Sequence, residues 1–194
     1  MNILQRAVQI AKEEGFLSLT KGVYRYIYYN IYYNPLSLLG TIEVILFKKH
    51  FYQNINQLKS LADLLNFAYS FKVFELTLRP SQIKEEILKL LELLKDIEPK
   101  VVLEIGTAEG GTLFLFTRVA SSDATIISID LPGGMFGGGY PAWKIPLYKS
   151  FARAKQKIYL IRADSHNYKT LDKVKEILNG RSVDFLFIDG DHTY

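Results

Sequence analysis

Cysteine is absent from all 194 residues, which excludes disulfides and thiolate metal sites and leaves oxygen or imidazole as the only metal ligands. That absence fits a reducing, cytoplasmic setting. Long apolar runs are also lacking in the N-terminal region. Its longest uncharged stretch of this kind, Leu36 to Ile42, falls far short of the roughly 20 residues a spanning helix needs, and Glu43 interrupts the continuation. Met1 to Gly15 mixes Arg6, Lys12, Glu13 and Glu14 into an amphipathic pattern without the apolar core of a signal peptide, so secretion is not expected. An overall surplus of one charge is lacking as well, except at one end. Residues 1–60 carry seven Lys/Arg against three Asp/Glu, and residues 61–194 carry seventeen of each. Phosphate-backbone binding needs a clustered basic surface, and the balanced C-terminal part offers no reason to expect nucleic acid as a partner.

What is present is the makeup of a folded globular chain, 48% hydrophobic and 23% charged. One domain with an extension is the expected division: a helical, Tyr-rich extension over 1–78 and the domain over 79–194. The stretch Val23 to Phe47 holds six tyrosines between Tyr24 and Tyr33 and a break at Asn34-Pro35. Tyrosine flanked by Lys and Arg suits a peripheral membrane contact or a protein partner, because the ring has an apolar body and a wet hydroxyl. A cap packed on the domain through its aromatic side is the plainer expectation. A second copy of the chain is a further expected partner.

From Ser81, expected as an N-cap, Ile83, Ile87, Leu90, Leu91, Leu94 and Ile97 recur at spacings of three and four, which predicts an amphipathic helix ending at Pro99. Beyond Pro99 the period changes. Four apolar runs, VVLEIG, TIISID, YLIRAD and DFLFID, alternate with stretches able to hold helices, which predicts βαβ units and parallel strands covered on both faces.

Open parallel sheets bind ligands outside the carboxyl ends of their strands, and the informative residues fall there. Gly106, Gly110 and Gly111 follow the first run in EIGTAEGGT, where glycine lets the backbone turn tightly and approach a ligand. Position 108 is Ala, so the G-x-G-x-x-G dinucleotide fingerprint is not met. Glu104, so close to that turn, would repel a pyrophosphate and attract a cation. S-adenosylmethionine, with an ammonium, a sulfonium and no phosphate, is the expected cofactor. Asp130, ending the second run, is placed to accept from two ribose hydroxyls. Asp164 closes the third, where an adenine edge could be read.

Taken in order, VVLEIGTAEGGT, SIDLPGG, LIRADSH and FIDGDHTY resemble the class I methyltransferase superfamily, and within it the branch of cephalosporin-hydroxylase-type and rhamnosyl O-methyltransferase-like proteins. The resemblance covers Arg79 to Tyr194. It implies an α/β, Rossmann-like sheet with the first and fourth strands adjacent, here an incomplete class I methyltransferase fold behind an α-helical extension. It also implies a cofactor set of Glu104, Gly106, Thr107, Gly110, Asp130, Asp164 and Ser165. Asp189-Gly190-Asp191-His192 brings two carboxylates and an imidazole together past the fourth run, which suits a hard cation such as Mg²⁺. By the resemblance Asp189, with Asp191, is the expected metal site and His192 the expected base for methylation of a sugar or small-metabolite hydroxyl. His166 is expected to be a loop residue. The stretch LPGGMFGGGYPAWKIPLYKSF, with five glycines from Gly133 to Gly139, is expected to be a cofactor or substrate lid, with Tyr140 and Trp143 stacking on a ring or covering an apolar acceptor.

The family's sheet continues beyond its fourth strand, so DFLFID is expected to present an open edge and an uncovered side, and the chain to be a fragment or to be completed by a partner. Two other classes compete. A nicotinamide-dependent oxidoreductase is disfavoured by the glycine spacing and by the lack of a Tyr-x-x-x-Lys pair near the fourth run. A non-catalytic binding or scaffold module would use the aromatic N-terminus as its contact surface.

Overall fold

A computed structural model describes residue 20 and residues 37–133 and 139–190. The Tyr-rich run Tyr24 to Tyr33, the heart of the glycine-rich loop, Asp191 and His192 lie outside the described residues.

From residue 37 onward the described chain forms the helices α1 (Ser37–Ile55) and α2 (Leu61–Ser70), followed by a short antiparallel hairpin of β1 (Lys72–Val73) and β2 (Leu76–Thr77). Residues 60–63 start α2 by a reciprocal cap: Asp63 N–H donates to Ser60 Oγ at 3.0 Å, and Ser60 N–H donates to the Asp63 carboxylate at 3.0 Å. The periodic stretch forms α3 (Lys84–Ile97), burying Ile87, Leu91 and Leu94 while Ile83 and Ile97 stay exposed. It starts later than expected. Ile83, not Ser81, occupies the N-cap position with no side-chain cap, because the chain at 81–82 is turned to carry Gln82 elsewhere. Glu98, left-handed at φ 47°, ends the helix before Pro99 with its N–H donating to Leu94 O.

The expected alternation follows: β3 (Val101–Ile105), α4 (Gly111–Val119), β4 (Thr125–Asp130), a 3₁₀ turn (Ala142–Lys144) running into α5 (Ile145–Lys149), β5 (Lys157–Arg162), α6 (Tyr168–Leu178) and β6 (Phe185–Ile188). The four strands form one parallel sheet in the order β5-β4-β3-β6, the α/β, Rossmann-like arrangement with the first and fourth strands of the sheet adjacent. The β5 strand ends two residues before Asp164.

One face of the sheet carries most of the core. Phe47 and Phe51 of α1, Phe114 of α4 and Phe151 are all fully buried there, with ring centroids 5.5 Å apart for Phe51–Phe114 and 5.7 Å for Phe114–Phe151. Each such ring contributes on the order of 2–3 kcal/mol of burial, so α1 is built into the same core as α4 and the sheet. The opposite face holds a smaller cluster of Ile127, Ile129 and Ile161 under Val174 of α6. Coverage of β6 differs between its two sides: Phe185 and Phe187 each stand 5.1 Å from the Phe116 ring, whereas Leu186 and Ile188 are 50% and 56% exposed. Among the described residues β6 is an edge strand, paired only to β3. No helix among them is long and apolar enough to cross a membrane.

Candidate functional site

The carboxyl ends of β3, β4 and β6 meet at the turn 106–110. Gly106 leaves β3 at φ 100°, its N–H donating to Ile129 O of β4 at 2.8 Å, while Asp189 N–H donates to Ile105 O at 2.8 Å. The tip of β3 is thus pinned from both sides. Ala108 is left-handed at φ 44°, and Gly110 (φ 81°) occupies the N-cap position of α4 without a side-chain cap. A non-glycine residue in that region costs on the order of 1 kcal/mol and needs support from its surroundings.

Asp130 supplies part of that support. Its Oδ2 accepts from Ala108 N–H and its Oδ1 from Leu131 N–H, both at 2.7 Å. Each oxygen keeps a further lone pair, so a half-buried carboxylate that shapes the turn can still accept from two hydroxyls of a ligand.

Glu104 departs from the sequence expectation. Instead of facing a cationic ligand it is fully buried, Oε1 accepting from Thr112 Oγ1 and Oε2 from Ser128 Oγ, each at 2.5 Å, with the Thr107 and Ser128 hydroxyls 2.6 Å apart. Alternation along β3 sends this side chain inward, where it ties β3 to α4 and β4. Burial, opposed by those two hydrogen bonds and reinforced by the Asp130 and Asp189 charges, pushes its pKa up to about 7. Thr107, at 1% exposure, belongs to the same buried network.

On β5's side, exposed Asp164 accepts from His166 N–H at 2.9 Å and stands 3.3 Å from His166 Nδ1, with Ser165 half-buried between them. Its backbone carbonyl accepts from Thr170 Oγ1 at 2.7 Å, which sets the entry to α6. Past β6, the exposed Asp189 carboxylate accepts from Gln82 Nε2. No group of three His, Cys, Asp or Glu side chains able to hold a metal occurs among the described residues.

Where it is described, the stretch expected to be a lid packs against the rest of the protein. Tyr140 is 1% exposed, edge-on to Tyr148 at 4.9 Å and under the Arg162 guanidinium at 5.8 Å, and among the described residues no partner meets its hydroxyl. Trp143 lies against Gly40 of α1. Both rings pack on the body of the protein through their apolar area.

Sequence reasoning missed Gln82, Lys144 and Tyr148. Lys144 and Tyr148, four residues apart at the end of the stretch expected to be a lid, could have been suspected from that helical spacing. Gln82 carries no sequence signal at all.

Residues 103–194 match the model of a family described as a methyltransferase domain, a stretch that begins within β3 and takes in the turn, Asp130 and Asp189. No curated protein matches the chain.

Proposed function

We propose that the chain binds S-adenosylmethionine over the turn 106–110 and transfers its methyl group to a hydroxyl of a small acceptor, a sugar or other small metabolite. One observation carries the reading: within the stretch that matches a methyltransferase domain, the turn between β3 and α4 is bonded to Asp130 at the end of the adjacent strand. That juxtaposition puts a backbone surface and a carboxylate with spare lone pairs side by side in the crevice where open parallel sheets bind ligands.

The cofactor supplies a methyl group on a sulfonium, a leaving group that becomes a neutral thioether. The chain's part is to hold, orient and deprotonate. Asp130 accepts from the ribose hydroxyls, and the backbone at 106–110 takes the tight shape that approaches a ligand because Gly106 and Gly110 adopt positive φ, 100° and 81°. Asp164 and Ser165 are the proposed adenine neighbours. His192 takes the acceptor's proton as the new O–C bond forms. Alignment of acceptor oxygen, methyl carbon and sulfur supplies much of the rate. Among the described residues no group of three His, Cys, Asp or Glu side chains could hold a divalent cation by itself. Mg²⁺ held by Asp189 and Asp191 is a finer form of the reading: Asp189→Ala should then abolish stimulation of transfer by Mg²⁺, and unchanged stimulation rules it out.

Calorimetric titration with S-adenosylhomocysteine and, separately, with NAD tests the main reading. Micromolar-range binding of the first, lost in Asp130→Ala, is expected. Binding of NAD in its place, or no heat with either, overturns it.

A further inference from the structure

The turn 106–110 is gripped from a direction that no strand supplies. Tyr148 of α5, fully buried, donates from its hydroxyl to Ala108 O at 2.7 Å, so the left-handed Ala108 is held by its N–H through Asp130 and by its carbonyl through Tyr148. The same ring closes on Gly110, where a side chain would stand 2.7 Å from Tyr148 Cε1. One turn earlier, the Lys144 ammonium meets the Glu109 carboxylate at 2.6 Å. Lys144 is 6% exposed, and a lysine is rarely so buried unless its charge is paired.

Lys144 also faces α1. Its charge favours the ionised form of Glu43, whose pKa is nonetheless raised, chiefly by burial and then by the Glu75 charge. Close by, Trp143 lies on Gly40, where an added side chain would come within 2.8 Å of the indole. The segment 142–148 is therefore wedged between α1 and the turn, its back against a helix of the extension and its polar groups on residues 108 and 109.

We infer that Lys144 and Tyr148 are positioning residues: through Glu109 and the Ala108 carbonyl they hold the turn in the shape that receives the ligand. The inference rests on the binding role proposed for the turn. It also makes α1 part of the site's support.

The experiment uses the full chain and three readouts: hydrogen exchange of the peptide spanning 106–112, affinity for S-adenosylhomocysteine, and thermal midpoint. Tyr148→Phe removes one oxygen and keeps the ring. It should raise exchange in that peptide while leaving α6 unchanged, and weaken S-adenosylhomocysteine by about 3- to 10-fold, the weight of one hydrogen bond. Lys144→Met and Glu109→Gln should each do the same, and the double variant should be no worse than the poorer single one, since both remove one interaction. Exchange and affinity at wild-type levels, additive effects of Lys144 and Glu109, or exchange raised equally throughout the chain each overturn the inference. Should wild-type protein fail to bind S-adenosylhomocysteine, the proposed function falls, and the exchange arm still decides whether these residues shape the turn.

Discussion

Gly106 and Asp189 share a contact that only glycine permits: a methyl group on Gly106 would lie 2.7 Å from the carbonyl carbon of Asp189 and closer still to its oxygen. The contact joins β3 to the segment after β6, the two elements whose ends flank the proposed site. Gly106 also holds φ 100°, outside the range other residues adopt readily. Gly106→Ala should therefore lower stability by about 2–5 kcal/mol, from backbone strain and overpacking together, and abolish S-adenosylhomocysteine binding in whatever fraction still folds. Urea denaturation measures the first; a loss under about 0.5 kcal/mol would show that the two segments can part without penalty.

Glu104 predicts a pH dependence of unusual sign for a carboxylate. Its folded pKa, about 7, lies above the ordinary carboxylate value, so the folded chain holds a proton that the unfolded chain has released. The group's contribution is fully present below pH of about 4.5 and is lost as pH rises through about 7, a change on the order of a few kcal/mol for so buried a group. Glu104→Gln keeps an acceptor for Thr112 or Ser128 and cannot ionise. Thermal midpoints recorded from pH 5 to 8 should fall for the wild type relative to this variant. Parallel curves would mean that Glu104 does not change its charge in that window.

Much of this architecture was legible because apolar runs and their spacing respond to local rules. VVLEIG, TIISID and DFLFID each contain a strand, YLIRAD overlaps one that begins two residues earlier at Lys157, and Asp130 ends one, because a buried parallel strand needs little more than a short apolar run between breakers. Contacts far apart in sequence were not legible. Whether Glu104 faces a ligand or the inside is decided by Thr112 and Ser128, which come to it only when α4 and β4 have packed. Tyr140 and Trp143 look like lid aromatics next to five glycines, yet their rings go to the core and to Gly40. Nothing near Gln82 announces a partner 107 residues away.

Among the described residues the buried Tyr140 hydroxyl meets no hydrogen-bond partner, so it bears a desolvation cost that they do not offset. Tyr140→Phe should be neutral or should stabilise the chain by up to about 1 kcal/mol. Its effect on the ring's contacts with Tyr148 and Arg162 is small, because the phenyl body is unchanged. A thermal midpoint lowered by several degrees would reveal that the hydroxyl has a partner in solution.

Gln82 offers a way to separate the reacting end of the site from its binding end. It reaches Asp189 from the segment before α3, while its own backbone carbonyl accepts from Tyr69 Oη at 2.6 Å, so the side chain is aimed from a fixed base. Gln82→Leu removes the donor and keeps the bulk. Asp189 is exposed and water can replace the lost bond, so stability should change by no more than about 1 kcal/mol. Among the described residues Gln82 is hydrogen-bonded to Asp189 and Tyr69, and the turn 106–110 to Asp130 and Tyr148, so S-adenosylhomocysteine affinity should stay within about twofold of wild type. If Asp189 stands at the reacting end, a carboxylate left without its donor is less well aimed, and the transfer rate should fall by about 10-fold or more while that affinity holds. Equal loss of rate and of affinity would place Gln82 in the support of the whole crevice, and an unchanged rate would remove the orientation of Asp189 by Gln82 from the reaction.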